Sequence, residues 1–68
     1  MMIVVINGES VSLPAQIVSV SDLLKHYELH EKVVVVEING EILTGTEHQI
    51  TRLSDKDRIE IVHFVGGG

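Results

Sequence analysis

Two Asn-Gly pairs constrain the fold of this chain more than any other feature of its sequence. Each follows a run of strand-forming residues, and the tetrapeptide Ile-Asn-Gly-Glu recurs at 6–9 and 38–41. Asn-Gly between two short apolar or alternating segments is a strong signal of a β-hairpin, because both central turn positions need φ > 0. The first pair predicts an opening hairpin of residues 2–6 and 9–13, and we interpret the second pair as a turn of the same type.

A single helix is predicted after this hairpin, which Pro14 ends or confines to a sheet edge. Ser19 and Asp22 have the spacing of a capping box, in which each side chain bonds the backbone amide of the other residue. We therefore expect a helix from about Val20 to Leu29. Its apolar residues recur at helical spacing and form one face that packs on the sheet: Val20, Leu23, Leu24 and Tyr27.

The rest of the chain predicts two more strands with an irregular stretch between them. Val33–Ile38 is too β-branched and too short for anything but an interior strand. Residues 41–53 indicate loop and turn, with room for one short edge strand. A turn at 55–57 then leads into Ile59–Val65, whose apolar density suggests a central place beside the first strand. One helix that covers one face of a sheet is a two-layer α+β domain.

The final strand is predicted to present different residues on its two faces. Alternation directs Ile59 and Ile61 toward the helix and directs Glu60, Val62 and Phe64 outward. Val62 and Phe64 would form a small apolar patch next to the C-terminus, as in a docking surface. The alternative is that the outward face is rich in valine simply because strands are.

Three glycines end the chain directly after this strand. Because glycine has no Cβ, Gly66, Gly67 and Gly68 can lie extended and enter a channel too narrow for side chains. The α-carboxyl of Gly68 is then the most accessible reactive group. A carboxylate is a poor electrophile and must be activated, usually through acyl-adenylation by a partner enzyme that uses ATP. The alternative is that the glycines are a frayed end.

Composition limits the classes of partner and of site. The net charge of −5 argues against nucleic acid and anionic membranes and favours docking to a basic protein surface. A 68-residue domain has one small core, which leaves little room for a catalytic cleft or an enclosed cofactor. The absence of cysteine excludes disulfides and thiolate metal sites and fits a reducing compartment. The apolar start, Met1–Ile6, is too short for a signal peptide or membrane span, so we expect a cytoplasmic protein.

The histidines suggest no catalytic or metal site. His26 and His30 have a spacing that places two imidazoles on one side of a helix, but no third ligand is indicated, so we predict solvated side chains. His63 lies in the last strand and is expected to titrate near neutral pH or to pair one ring nitrogen. No serine is flanked by a pattern typical of nucleophilic catalysis.

Taken together, these features resemble the ThiS family, the sulfur carrier proteins of thiamine biosynthesis. The resemblance covers the whole chain and rests on Asn39–Leu43 after the third strand, Asp55–Ile59 before the last and the terminal Gly67-Gly68. It implies a ubiquitin-like β-grasp fold, with a mixed four- to five-stranded sheet packed on one helix. The domain would comprise residues 1–65, and residues 66–68 would be a flexible tail.

The resemblance also implies a function as a protein co-substrate without catalytic residues or a bound cofactor. In the family, a ThiF-like adenylyltransferase consumes ATP to form a glycyl adenylate. A cysteine-derived sulfur donor then gives the 1-thioglycine thiocarboxylate, from which ThiG-like thiazole synthase takes the sulfur. In this sequence Gly68 would be the covalent carrier and Gly66 and Gly67 the threading residues, with Val62 and Phe64 as docking contacts.

Two positions depart from the family pattern, and two other functions stay open. Thr44-Gly45 stands where the family often has Pro-Arg, and Lys56 stands at a turn position that favours glycine. One alternative is the sulfur carrier subunit of molybdopterin synthase, which would bind a large catalytic subunit. The other is a non-covalent ubiquitin-like binding module, in which Val62 and Phe64 matter and Gly68 does not.

Overall fold

A computed structural model describes residues 1–29 and 33–63. The predicted order of elements is confirmed, with a short edge strand after the second Asn-Gly turn and one 3-10 helix that was not predicted. The elements are β1 (Met2–Ile6), β2 (Glu9–Leu13), α1 (Val20–His26), β3 (Val34–Ile38), β4 (Glu41–Leu43), the 3-10 helix (Gly45–His48) and β5 (Arg58–His63).

The five strands form one mixed sheet in the order β2-β1-β5-β3-β4. β5 runs parallel to β1 and antiparallel to β3, and both hairpins are antiparallel. The last strand is therefore central, and β3 is interior, as the sequence predicted. In the part of the chain that the structure describes, no helix is long and apolar enough to cross a membrane.

Both Asn-Gly pairs form the predicted turns. Asn7 and Asn39 each have φ of 49°, and the glycines that follow have φ of 86° and 89°. Positive φ at both central positions is the geometry of a type I′ turn, whose twist matches that of the flanking strands. The two copies of the tetrapeptide therefore form two hairpins with the same turn type.

The core lies between α1 and the sheet face that α1 covers. The capping box is confirmed, because the Asp22 amide donates to Ser19 Oγ at 3.1 Å and the Ser19 amide donates to Asp22 Oδ2 at 3.0 Å. The apolar face of α1 is buried except for Tyr27, which is 41% exposed at its edge. The buried core residues are Val4, Leu13, Ile17, Val20, Leu23, Leu24, Val36, Ile38, Leu53 and Ile59.

The predicted C-terminal boundary of the helix, Leu29, is wrong. α1 ends at His26, because Glu28 takes the left-handed conformation with φ of 60°. The Glu28 amide then donates to the Lys25 carbonyl at 3.0 Å and the Leu29 amide to the Leu24 carbonyl at 2.7 Å. These two bonds define a Schellman motif, which satisfies the last helical carbonyls. Glycine usually occupies the left-handed position, so a glutamate there gave no signal in the sequence.

Replacement of this glutamate by glycine is expected to stabilise the protein. Glu28→Gly removes the steric cost of φ at 60°, so the free energy of unfolding should rise by about 0.5–1 kcal/mol in urea denaturation. Glu28→Ala is the matched control, because it removes the same carboxylate but keeps a Cβ. An equal gain from alanine would contradict a backbone origin of the effect.

The capping box is also expected to make stability depend on pH. The Ser19 and Val18 backbone amides donate to the Asp22 carboxylate and hold its pKa below its ordinary value. A lowered folded pKa stabilises the fold above the unfolded pKa of about 4, and this contribution is lost as pH falls through the folded pKa. Urea unfolding at about pH 7 and about pH 3 should show a smaller loss in Asp22→Asn than in the wild type. Equal losses in both proteins would show that Asp22 is not responsible.

Candidate carrier terminus and docking face

The candidate site is the end of β5 together with the sheet face beside it. β5 is described as far as His63. The predicted carrier Gly68, the threading residues Gly66 and Gly67 and the docking residue Phe64 lie outside the described residues. Their roles stay predictions. The structure describes β5, the strand that precedes these residues in the sequence.

Backbone bonds hold β5 on both sides at its beginning. On the β1 side, the Val5 amide donates to the Asp57 carbonyl at 2.9 Å and the Asn7 amide donates to the Ile59 carbonyl at 2.9 Å. On the other side, β3 pairs with β5 over five residues, from Ile38 opposite Ile59 to Val34 opposite His63. A strand paired with two neighbours is a rigid base for the terminus that follows it.

The asparagine side chains of both turns also bind the final strand. The Ile61 amide donates to Asn7 Oδ1 at 2.8 Å, and Asn7 Nδ2 donates to the Ile61 carbonyl at 3.1 Å. At the start of the strand, the Arg58 amide donates to Asn39 Oδ1 at 3.0 Å, and Asn39 Nδ2 donates to Asp57 Oδ1 at 3.0 Å. Sequence reasoning predicted the turns but missed these contacts. The recurrence of asparagine at the first turn position was the available signal.

The predicted alternation along β5 is confirmed for the described residues. Ile59 is 1% exposed in the core, whereas Glu60 is exposed and Val62 is 50% exposed on the sheet face away from α1. We call that face the open face, and its side chains include Ile3, Val35, Glu37, Ile42, Arg58, Glu60 and Val62.

The open face combines apolar side chains with two paired carboxylates. Val62 lies opposite Val35, and Glu60 lies directly opposite Glu37. Ile42, which is 69% exposed, lies on the far side of Glu37 on β4. Like charges at directly opposed positions of neighbouring strands are destabilising, so the pair has an unfavourable local interaction in the free protein.

The helix side of the sheet has an open groove near the end of β5. Its volume is about 440 Å³. It forms because α1 stops early and leaves Ile6, Val11 and Ile61 partly uncovered, with Tyr27 and His63 at its rim. In the described part of the chain it is an open groove and not an enclosed cavity.

The described histidines form no metal site. The ring of His26 stacks edge-on against that of Tyr27, with centroids 5.2 Å apart and an interplanar angle of 80°. Among residues 1–29 and 33–63, no group of histidine and carboxylate residues is placed to hold a metal ion. His30 lies outside those ranges, and His63 is exposed on β5.

Comparison with known proteins identifies the family. The family model described as the ThiS family matches residues 3–68, which is nearly the whole chain. The chain belongs to the ThiS family. It is 44% identical over 63 residues to the sulfur carrier protein ThiS of Bacillus subtilis (strain 168), a match that covers 93% of this chain and 96% of that protein.

Solved and curated relatives agree with this membership. The crystal structure of the thiamine biosynthesis protein ThiS from Geobacter metallireducens matches with a TM-score of 0.81 and 30% identity, over 98% of this chain and all of that one. A thiazole synthase of Paramagnetospirillum magneticum is 38% identical over 64 residues, which are 94% of this chain but only 19% of that protein.

Membership of the ThiS family confirms both the fold and the general role. The mixed five-stranded sheet with one helix is the ubiquitin-like β-grasp of the family. The chain is a sulfur carrier protein of thiamine biosynthesis and not a catalyst. The open face next to the end of β5 offers partner enzymes an exposed surface in the described part of the chain.

Proposed function

We propose that this chain carries sulfur as a thiocarboxylate on the C-terminal Gly68 and donates it for formation of the thiazole ring of thiamine. The observation that carries the proposal is the family match, which continues through the three glycines to Gly68. Gly66 and Gly67 have no side chains and serve to thread the terminus into a partner's active site.

The chemistry requires two partners for loading. A ThiF-like adenylyltransferase transfers AMP from ATP to the Gly68 carboxylate and releases pyrophosphate, which turns a poor electrophile into an acyl-adenylate. A hydrosulfide equivalent released from cysteine by the sulfur donor then attacks the acyl carbon, the C–O bond to AMP breaks, and the thiocarboxylate remains on Gly68. The chain has no cysteine, so the sulfur must come from a separate donor. ATP is consumed by the partner, and the carrier itself binds no cofactor.

The open face is the proposed docking surface for these partners. Val62 lies there beside Val35, and we propose Phe64, which lies outside the described residues, as a second docking contact. The opposed carboxylates of Glu37 and Glu60 stand on this face with one cation among the described residues, Arg58, so the local charge is negative and favours a partner that brings lysine or arginine. The net charge of −5 supports the same choice of a basic partner surface.

Thiazole synthase is the proposed acceptor of the sulfur. The relative from Paramagnetospirillum magneticum contains a segment similar to almost all of this chain within a protein about five times as long. A carrier-like segment within a thiazole synthase chain supports direct contact between the carrier and the synthase.

The proposed compartment for adenylation, sulfur loading and sulfur donation is the cytoplasm. The absence of cysteine in the carrier fits a reducing compartment.

Growth without thiamine tests the proposed pathway. The gene for this chain is introduced into a bacterial strain that lacks its own ThiS family carrier but retains the adenylyltransferase and thiazole synthase. We expect growth to be restored on medium without thiamine. If the protein is soluble but growth is not restored, the thiamine role is contradicted. A second strain, which lacks the sulfur carrier of molybdopterin synthesis, tests the alternative. Restored molybdopterin synthesis in that strain would favour molybdopterin synthase as the acceptor.

A further inference from the structure

The parallel pairing of β1 with β5 stops before β5 does. Only two residue pairs join these strands, and the last backbone bond from the β1 side is that of the Asn7 amide to the Ile59 carbonyl. At Asn7 the chain turns away toward β2. Among residues 1–29 and 33–63, the second half of β5 therefore has no parallel neighbour on this side that continues the ladder.

The side chain of Asn7 continues the ladder in place of that neighbour. Its carboxamide has the same donor and acceptor as a peptide group, and it bonds both the amide and the carbonyl of Ile61 at 2.8 and 3.1 Å. Val62 and His63 follow directly in β5. Of the described residues on the β1 side, Asn7 makes the hydrogen bonds nearest to the C-terminal end of β5.

We infer that Asn7 is a positioning residue for loading of the carrier, an inference that rests on the proposed function. Its carboxamide holds the β1 side of the second half of β5, while β3 pairs with the other side, and so helps to fix the position in which β5 reaches His63. A reacting carboxylate must reach a partner's active site in a narrow range of geometries, and displacement by about 1 Å can cost 10²-fold in rate. A loosened anchor spreads the carboxylate over more positions and lowers the rate.

Asn39 provides a matched control in the same chain. It stands at the same position of the same turn type, has the same φ and also makes two side-chain bonds to the β5 segment. Its contacts lie at the start of β5, at Arg58 and the preceding Asp57, away from the terminus. Glycine tolerates φ > 0, so Asn7→Gly and Asn39→Gly both keep their turns and lose only the carboxamide.

The test compares these two variants in three measurements. Urea denaturation gives their stability, and hydrogen exchange of the Ile61 amide reports local opening. Carrier-dependent exchange of pyrophosphate into ATP, catalysed by the ThiF-like adenylyltransferase, gives kcat and KM for the carrier. If Asn7→Gly is not folded at the assay temperature, Asn7→Asp and Asn39→Asp replace the two variants, because aspartate is accepted in this turn. Each change replaces the amide donor by a carboxylate oxygen and adds one negative charge, so the two variants remain matched.

We expect similar losses of stability in the two variants but different losses of function. In Asn7→Gly the hydrogen of the Ile61 amide should exchange with solvent about ten-fold faster. The variant loses the two hydrogen bonds between Asn7 and Ile61, each of modest net strength, so local opening becomes easier. Its kcat/KM should fall by about ten-fold, whereas Asn39→Gly should stay within about two-fold of the wild type, because its bonds lie far from the terminus.

Two outcomes would overturn the inference. One is an equal fall of kcat/KM in both variants, which would make Asn7 merely structural. The other is an unchanged kcat/KM in Asn7→Gly although Ile61 exchanges faster. A wild-type chain that is not adenylated at all would instead contradict the proposed function, and the inference with it.

Discussion

Deletion of Gly68 is expected to abolish loading of sulfur while leaving the stability of the domain unchanged. Loss of one residue withdraws the terminal carboxylate by up to about 3.5 Å. Such a displacement takes it out of reach of the adenylating site, and we expect a fall of at least about 10²-fold in adenylation. The free energy of unfolding should not change, because the described core and β5 do not include this residue.

This deletion tests whether the terminal carboxylate must extend as far as Gly68 to reach the adenylating site. A second variant tests whether a side chain next to that carboxylate fits in the same site. Removal of any one of Gly66, Gly67 or Gly68 gives the same shortened chain, which still ends in two glycines. Gly68→Ala keeps the full length and adds one methyl group beside the reacting carboxyl, so a narrow channel should also reject it. Adenylation of both variants is measured by pyrophosphate exchange. Activity of the shortened chain equal to that of the wild type would mean that the position of Gly68 does not define the carrier.

Two substitutions on opposite faces of β5 are expected to separate folding from docking. Ile59 is 1% exposed and is paired with Ile6 on one side and Ile38 on the other. Ile59→Ala leaves a cavity at the centre of the core and should lower the free energy of unfolding by about 2–5 kcal/mol. In a domain of this size such a loss approaches the whole stability, so the variant should be largely unfolded at 37 °C.

Val62→Ala is the matched change on the open face. Val62 is 50% exposed, so its truncation should alter the free energy of unfolding by less than about 0.5 kcal/mol. It nevertheless removes apolar contact area from the proposed docking surface, so kcat/KM for adenylation should fall with unchanged stability. Urea denaturation and pyrophosphate exchange measure the two effects. A Val62→Ala protein that is adenylated at the wild-type rate would exclude this residue from the docking surface.

Local chemistry made the hairpins and the start of the helix predictable. The hairpin turn needs φ > 0 at both central positions, which Asn and Gly tolerate. The side chains of Ser19 and Asp22 accept hydrogen bonds from two backbone amides that have no partner within the helix. The central place of β5 also followed from its apolar residues. The end of α1 was not predictable, because Glu28 adopts a conformation that the sequence normally marks with glycine.

Contacts between distant segments could not be read from the sequence. The pairing of Glu37 with Glu60 depends on the register of two strands that are far apart in the chain. The bonds from Asn7 to Ile61 depend on where β1 ends relative to β5, which is a tertiary property. Sequence patterns therefore predicted the face on which Glu60 and Val62 lie but not that Glu37 stands opposite Glu60.

The most direct test of the central claim is the intact mass of the protein after loading. The purified chain is incubated with ATP, a cysteine-derived sulfur source and a ThiF-like adenylyltransferase. We predict a mass gain equal to the replacement of one oxygen by sulfur, which depends on ATP and which fragmentation assigns to Gly68. No gain with an adenylyltransferase that loads a known carrier, or sulfur assigned to another residue, would contradict the claim that Gly68 carries the sulfur.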